Sequence, residues 1–114
     1  MLPKANRLKS DSDFKHIFKY GKISESEFMR IKFLKNFKQY SRFGFIVSNK
    51  FDSKAVVRNL FRRRLRAAAY FFLKSIKSGF DVVIWPKITL KKNSYQTLLN
   101  NFKNILIKND LLSI

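Results

Sequence analysis

The stretch that decides the fold is KAVVRNLFRRRLRAAAYFFLKSIKSG, residues 54–79. At about 100° per residue, Val57, Phe61, Leu65, Ala68, Phe72 and Ile76 fall within one arc of about 100°, the width of a helical stripe that faces a core. The spacing predicts a long helix, capped by Asp52 or Ser53, running to about Lys77 and stopped by Ser78-Gly79. A second face of the same helix is charged. Arg58, Arg62 and Arg66 lie at i, i+4 and i+8 with Asn59 and Arg63 beside them, and no Asp or Glu occurs between Lys54 and Lys77. Each like-charge neighbour pair destabilises the helix by roughly 0.2–0.5 kcal/mol, so an uncompensated row points to an anionic partner. Guanidinium forks match phosphates, and Asn59 can add a hydrogen bond to a sugar or base.

Working outward, Ser10-Asp11-Ser12-Asp13 supplies caps for a first helix, with Phe14, Ile17 and Phe18 at helical spacing and Gly21 as its stop. Residues 22–24 read as a brief strand, 28–37 as a longer one, and 42–50 as a third with Phe43, Phe45 and Val47 on one face and Gly44, Ile46 and Ser48 on the other. Residues 36–41 read as a hairpin turn between the last two. Beyond the long helix, residues 80–85 contain VVI and read as a buried strand stopped by Pro86. Thr89 or Asn93 then caps a last helix in which Tyr95, Leu98, Leu99, Phe102, Ile105 and Leu106 recur at helical spacing. The expected fold class is α+β, an α-β-β-β-α-β-α sandwich with a central mixed sheet and a βαβ crossover. With three Gly, two Pro and no repeat or low-complexity linker, residues 1–114 read as a single domain.

Charge and composition narrow the partner. There are 25 Lys+Arg against 7 Asp+Glu, a net charge of +18, and self-repulsion of that size weakens a compact state unless a polyanion offsets it. A nucleic acid meets that need, with binding that falls steeply as salt rises because condensed counterions are released. An acidic membrane surface would be served by charge as well. The absence of cysteine excludes disulfides, thiolate zinc sites and thiol nucleophiles together. The start MLPKANRLK has no apolar run of signal-peptide length, and the longest apolar stretch, residues 67–73, is far short of the roughly 20 needed to span a bilayer. A cytoplasmic protein with no membrane association is the simplest expectation.

KAVVRNLFRRRLR, residues 54–66, resembles the signature of the protein subunit of bacterial ribonuclease P, whose usual form is close to KAVxRNRxKRxxR. LPKANRL at 2–8, DFKHIFKYGK at 13–22, RFGFIVSNK at 42–50 and DVVIWPK at 81–87 follow in that family's order and spacing and cover most of the chain. The resemblance implies the family's fold, in which the βαβ crossover is left-handed against a strong right-handed rule. It implies a protein that binds a catalytic RNA subunit and the single-stranded 5′ leader of precursor tRNA, and assists Mg²⁺-dependent endonucleolytic removal of that leader. The Mg²⁺ ions would be held by the RNA subunit, with no protein partner implied. RNA contacts would come from Lys54, Arg58, Asn59, Arg62, Arg63, Arg64 and Arg66, and from Lys4, Asn6 and Arg7 of a basic arm that can be disordered without RNA. Phe14 and Phe18, otherwise readable as core residues, would line the leader cleft with Phe28, Arg30, Ser48 and Lys50, where an aromatic face stacks on any base.

Three positions depart from the pattern. The last residue of the signature's RNR triplet is Leu60 here, and Arg64 stands where an apolar residue is usual, so the charge is expected to have moved one turn, with Leu60 at the core edge. A cleft position that carries tyrosine in some members is Ile31. Trp85, before Pro86, reads as a strand-end core aromatic and stays outside the expected site.

A protein nuclease normally shows clustered carboxylates for metal ions or a histidine pair for acid–base work. The acids here are Asp11, Asp13, Glu25, Glu27, Asp52, Asp81 and Asp110, scattered as caps and strand flanks, and His16 is the only histidine. No catalytic or metal-ligating residue is therefore expected in the protein. Two other classes fit part of the pattern. A ribosomal or general structured-RNA-binding protein would explain the charge but not the paired Phe14 and Phe18. A DNA-binding module reading a major groove would need the basic helix free, whereas a core stripe runs along its length.

Overall fold

A computed structural model describes residues 2–113. Helix α1 (Asp11–Tyr20) starts where Ser10 Oγ accepts the Asp13 N–H at 3.2 Å and where Asp11 and Asp13 face the positive helix end. Strands β1 (Lys22–Glu25) and β2 (Met29–Lys35) form an antiparallel hairpin. Strand β3 (Arg42–Phe45) leads into α2 (Ala55–Phe72), which leads into β4 (Phe80–Pro86) and α3 (Tyr95–Lys108). Two short 3₁₀ turns, Lys4–Asn6 and Ile88–Lys92, precede α1 and α3. The α-β-β-β-α-β-α order and the mixed sheet agree with the sequence reading.

The sheet order is β1-β2-β4-β3, which corrects the expected hairpin at 36–41. Strand β4 lies between β2 and β3, antiparallel to the first from Met29↔Pro86 to Lys35↔Phe80 and parallel to the second from Arg42↔Asp81 to Phe45↔Ile84. Its VVI run is buried on both faces, with Val82 and Ile84 in one cluster and Val83 in another, as suits a strand inside the sheet. Residues 36–41 instead wrap the start of β4. The Asn36 N–H donates to the Gly79 carbonyl at 2.8 Å, and Ser41 Oγ accepts from the Phe80 N–H and donates to the Lys77 carbonyl. Gly79, at φ +89°, makes the left-handed turn into β4 without a Cβ clash.

Each face of β4 has its own core. Val82 and Ile84 point to a large cluster under α2 and α3 that includes Phe43, Phe61, Leu65 and Phe102. Val83 points the other way, into a small cluster with Leu8 and Ile17, flanked by Phe14, Ile46 and Trp85. Helix α1 lies close on this second face, since a Cβ on Gly44 would come within 2.5 Å of the Phe14 ring. Its first turn is pinned by Arg42, which grips buried Asp81 through two hydrogen bonds of 2.8 and 2.7 Å and reaches Asp13 at 3.2 Å. The paired Asp81 holds the Arg42 pKa above its ordinary value.

Several boundaries differ from expectation, among them the start of α2, where Lys54 rather than Asp52 or Ser53 is the N-cap residue. Strand β3 ends at Phe45 rather than near residue 50, because only the Ile46 N–H, donating to the Ile84 carbonyl at 3.0 Å, still reaches β4. Helix α2 ends at Phe72 rather than Lys77: Ile76 bridges Leu112, and the Lys77 N–H donates to the Leu111 carbonyl at 2.8 Å. Ile76 is buried through that pairing, while Phe61, Leu65 and Ala68 form the buried part of the helical stripe and half-buried Val57 and Phe72 pack against it. Helix α3 is capped by Ser94, whose Oγ accepts the Thr97 N–H at 3.2 Å, not by Thr89 or Asn93. Thr89 Oγ1 donates to the Glu27 carbonyl instead.

Candidate nucleic-acid interface

The arginine row of α2 runs beside β3 and the loop that continues it. Arg58 Nη1 donates to the carbonyls of Asp52 and Ser53 at 3.1 and 2.8 Å. One turn on, Arg62 donates to the Val47 carbonyl at 3.0 Å and to Asn59 Oδ1 at 2.7 Å. Another turn on, the Arg66 guanidinium lies 6.0 Å from the centre of the Phe45 ring. The row thus braces residues 45–53 against the helix, and a guanidinium has five N–H donors, so each keeps others for a phosphate. Lys54, the N-cap residue, and Asn59 and Arg63 are exposed on the same helix. Neither α2 nor α3 contains an acidic residue.

Arg64 does not join this row. At about 100° per residue it projects on the opposite flank from Arg62, and its guanidinium sits 5.3 Å from the centre of the Phe61 ring. Leu60, its neighbour one turn back, is half-buried.

The basic arm, which could have been disordered without RNA, is docked on the sheet. The Leu8 N–H donates to the Phe43 carbonyl at 2.9 Å, Asn6 Nδ2 donates to the Ser41 carbonyl at 2.7 Å, and Leu2 is fully buried. Arg7 Nε caps the Leu2 carbonyl at 2.8 Å, while Lys4 stays exposed in the first 3₁₀ turn. This packing places Arg7 and Lys9 in a groove of about 290 Å³ with Phe14, Gly44 and Arg66. Side chains from α1, from the arm and from α2 therefore meet around the sheet's β3 edge.

A second open groove, about 630 Å³, gathers Arg30, Ser48 and Lys50 with Glu27, Trp85, Lys87 and Thr89. Arg30 is the register partner of Trp85, and Ser48 and Lys50 reach the groove from the loop that the arginine row braces. Phe18, 40% exposed on α1, borders Trp85. Glu25 bonds Arg30 Nε at 2.6 Å and Lys87 Nζ at 3.5 Å, and these two cations hold its carboxyl below the usual carboxylate range. Asp52 is held low in the same way, by Lys91 at 2.8 Å and by the Lys54 N–H at 2.7 Å.

Two expected positions are not brought to this side. Ile31 is fully buried in the large cluster under α2 and α3, and Phe28 packs against that cluster too. Ile31 alternates with Arg30 and Lys32 in a way that the sequence did show, but only the partner strand reveals which face is which; Phe28 has the parity of Arg30 but lies just before β2 begins at Met29, so alternation does not fix its side. Trp85 and Lys87 were missed for the opposite reason. The alternation of Val83 and Trp85 against Val82 and Ile84 is visible in the sequence, yet VVIW reads as uniformly apolar until α1 is seen to cover one face only in part.

Among the described residues no three His, Cys, Asp or Glu side chains come together as a metal site. Asp13 and Asp81 are held by Arg42, Glu25 by Arg30 and Lys87, Asp52 by Lys91 and Asp110 by Lys77. The donors do not fit a protein-held Mg²⁺. No helix among the described residues is long and apolar enough to cross a membrane.

A family model described as Ribonuclease P matches residues 2–110. Among curated relatives, the ribonuclease P protein component of a Pseudanabaena species is 35% identical over 98% of this chain and 97% of its own length. That of Clostridioides difficile is 34% identical over 91% of each. The solved RNase P protein of Thermotoga maritima superposes with a TM-score of 0.83 at 34% identity, covering 90% of this chain and 96% of that one. The Staphylococcus aureus RNase P protein, at 24% identity, shares the fold with a TM-score of 0.86 over 95% of this chain and 98% of its own.

Proposed function

The chain belongs to the bacterial ribonuclease P protein family, and from that membership we propose how its surfaces divide the work. As a ribonuclease P protein component it is a subunit of the ribonucleoprotein that processes the 5′ end of precursor tRNA, which sets aside the ribosomal and DNA-binding readings. Residues 1–114 act as one RNA-binding domain. Arg58, Arg62, Arg63 and Arg66, with Lys54 and Asn59, grip phosphates and sugars of the catalytic RNA, joined by Lys4 and Arg7 of the docked arm. Arg64 reaches RNA from the second flank of α2. On the α1 side, Phe14, Phe18, Arg30, Ser48 and Lys50 hold the 5′ leader, while Phe28 supports the sheet beneath them.

One observation carries this division. Arg66 of α2 and Phe14 of α1 belong to helices on opposite faces of the sheet, yet they line a single groove around its β3 edge. An RNA gripped by the arginine row is thereby held next to a single strand lying along α1. The Mg²⁺ ions that the reaction needs reside on the RNA subunit, and the complex works in the cytoplasm. The deciding experiment adds purified protein to the cognate catalytic RNA and a 5′-extended tRNA at limiting Mg²⁺. Cleavage should rise with added protein, and an unchanged rate would overturn the reading.

A further inference from the structure

Strand β4 sends alternate side chains to opposite faces. On the α1 face Val83 is fully buried, but Trp85, one strand repeat farther on, passes the edge of the helix and is only half-buried. Its indole rests against the Phe18 ring with centroids 5.8 Å apart and planes tilted by 45°. Phe18 is itself 40% exposed, and Lys32 Nζ lies 5.5 Å from its ring centre. Both rings stand on a strand and a helix that are locked to each other through Arg42, so the pair is held ready rather than ordered by a ligand. The groove in front of Trp85 holds the cations Arg30, Lys50 and Lys87.

Flat apolar rings framed by cations match a ligand with flat apolar faces and a regularly spaced negative charge. Unpaired nucleotides have both, whereas in a duplex the base faces are already stacked on one another. We propose that Trp85 and Phe18 together form a base-stacking site of the leader cleft, Trp85 supplying the larger face and the groove cations taking the flanking phosphates. This rests on the reading of the cleft given above. Stacking tolerates every base but strengthens with ring area, so the site favours a purine over a pyrimidine at the nucleotide it receives.

Trp85 is the only tryptophan in the chain, so its emission reports the site directly. The full chain is titrated with oligoadenylate and oligouridylate of equal length, following indole emission and its access to acrylamide, with binding measured separately by anisotropy of end-labelled oligonucleotide. Binding should quench the emission, shield the indole, and do both more strongly for oligoadenylate. In holoenzyme reconstituted with the cognate catalytic RNA, Trp85→Leu should lower the extra affinity of 5′-extended over mature tRNA by about tenfold, and Trp85→Phe should keep part of it. The proposal is overturned if the oligonucleotide binds with emission unchanged, or if both variants keep the leader-dependent gain. A wild-type holoenzyme with no leader-dependent gain would instead overturn the cleft itself. The emission titration needs no variant and stands even if Trp85→Leu folds poorly.

Discussion

On one face of the sheet, α2 and α3 seal Val82 and Ile84 beneath a continuous core; on the other, the shorter α1 seals Val83 and leaves Trp85 and Phe18 part-exposed. The two faces share one central strand and differ in how much of it is covered. The first buries most of the large side chains and so carries most of the fold's stability. The second is braced by polar contacts, with Arg42 tying α1 to β4 through Asp13 and Asp81. A face held by one ion-pair cluster can stay open beside it, and that openness is what a single strand requires.

Substitutions on the two faces should therefore separate stability from recognition. Phe102→Ala, deep in the large core, should lower the unfolding free energy by about 3–5 kcal/mol in chemical denaturation. Arg42→Met leaves Asp81 buried without its cation and should cost about 3 kcal/mol, and adding Asp81→Leu should restore part of it; an unchanged melting curve for the single variant would remove Arg42 as the brace of α1. Phe18→Ala should change stability by no more than about 1 kcal/mol while reducing leader-dependent affinity by about 1–3 kcal/mol. If it unfolds the protein instead, the contrast between the faces fails.

The arginine flank gives smaller effects. Arg66→Ala should reduce the slope of log affinity against log salt for the catalytic RNA by about 1. Arg64→Ala, on the other flank and stacked on Phe61, should reduce it less, and no reduction at all would take Arg64 out of the interface. Asp52 and Glu25 both have carboxyls held below their ordinary values, so what they contribute is complete above the unfolded pKa of about 4 and is lost as pH falls through the lower folded values. Melting temperature should therefore drop on the acid side, and Asp52→Asn should flatten part of that drop.

Much of this was legible in the chain. The caps Ser10 and Gly21 bound α1, the apolar stripe of α2 faces the core, and the arginines at i, i+4 and i+8 do form a row. The resemblance to the family rests on the same residues. Less legible were the ends of elements and the neighbours of strands. Helix α2 has helical spacing up to Ile76, but residues 75–77 leave it to pair with 111–113, more than thirty positions away. A tract with turn residues at 36–41 looks like a hairpin until β4 inserts between its strands.

By itself the sequence determined which residues are apolar and at what period, and so which stretches become helix or strand and which helix face carries the cations; these follow from local chain geometry and side-chain solvation. Only the tertiary structure decided which strand is central, which face each alternate residue meets, and how far α1 reaches along β4. Those depend on contacts between residues distant in the chain, where burial of one side chain is set by the length of an element elsewhere. Arg58, Arg62 and Arg66 share one flank of a helix by their spacing alone, whereas Trp85 is open to a ligand only because α1, more than sixty residues earlier in the chain, stops short of covering it.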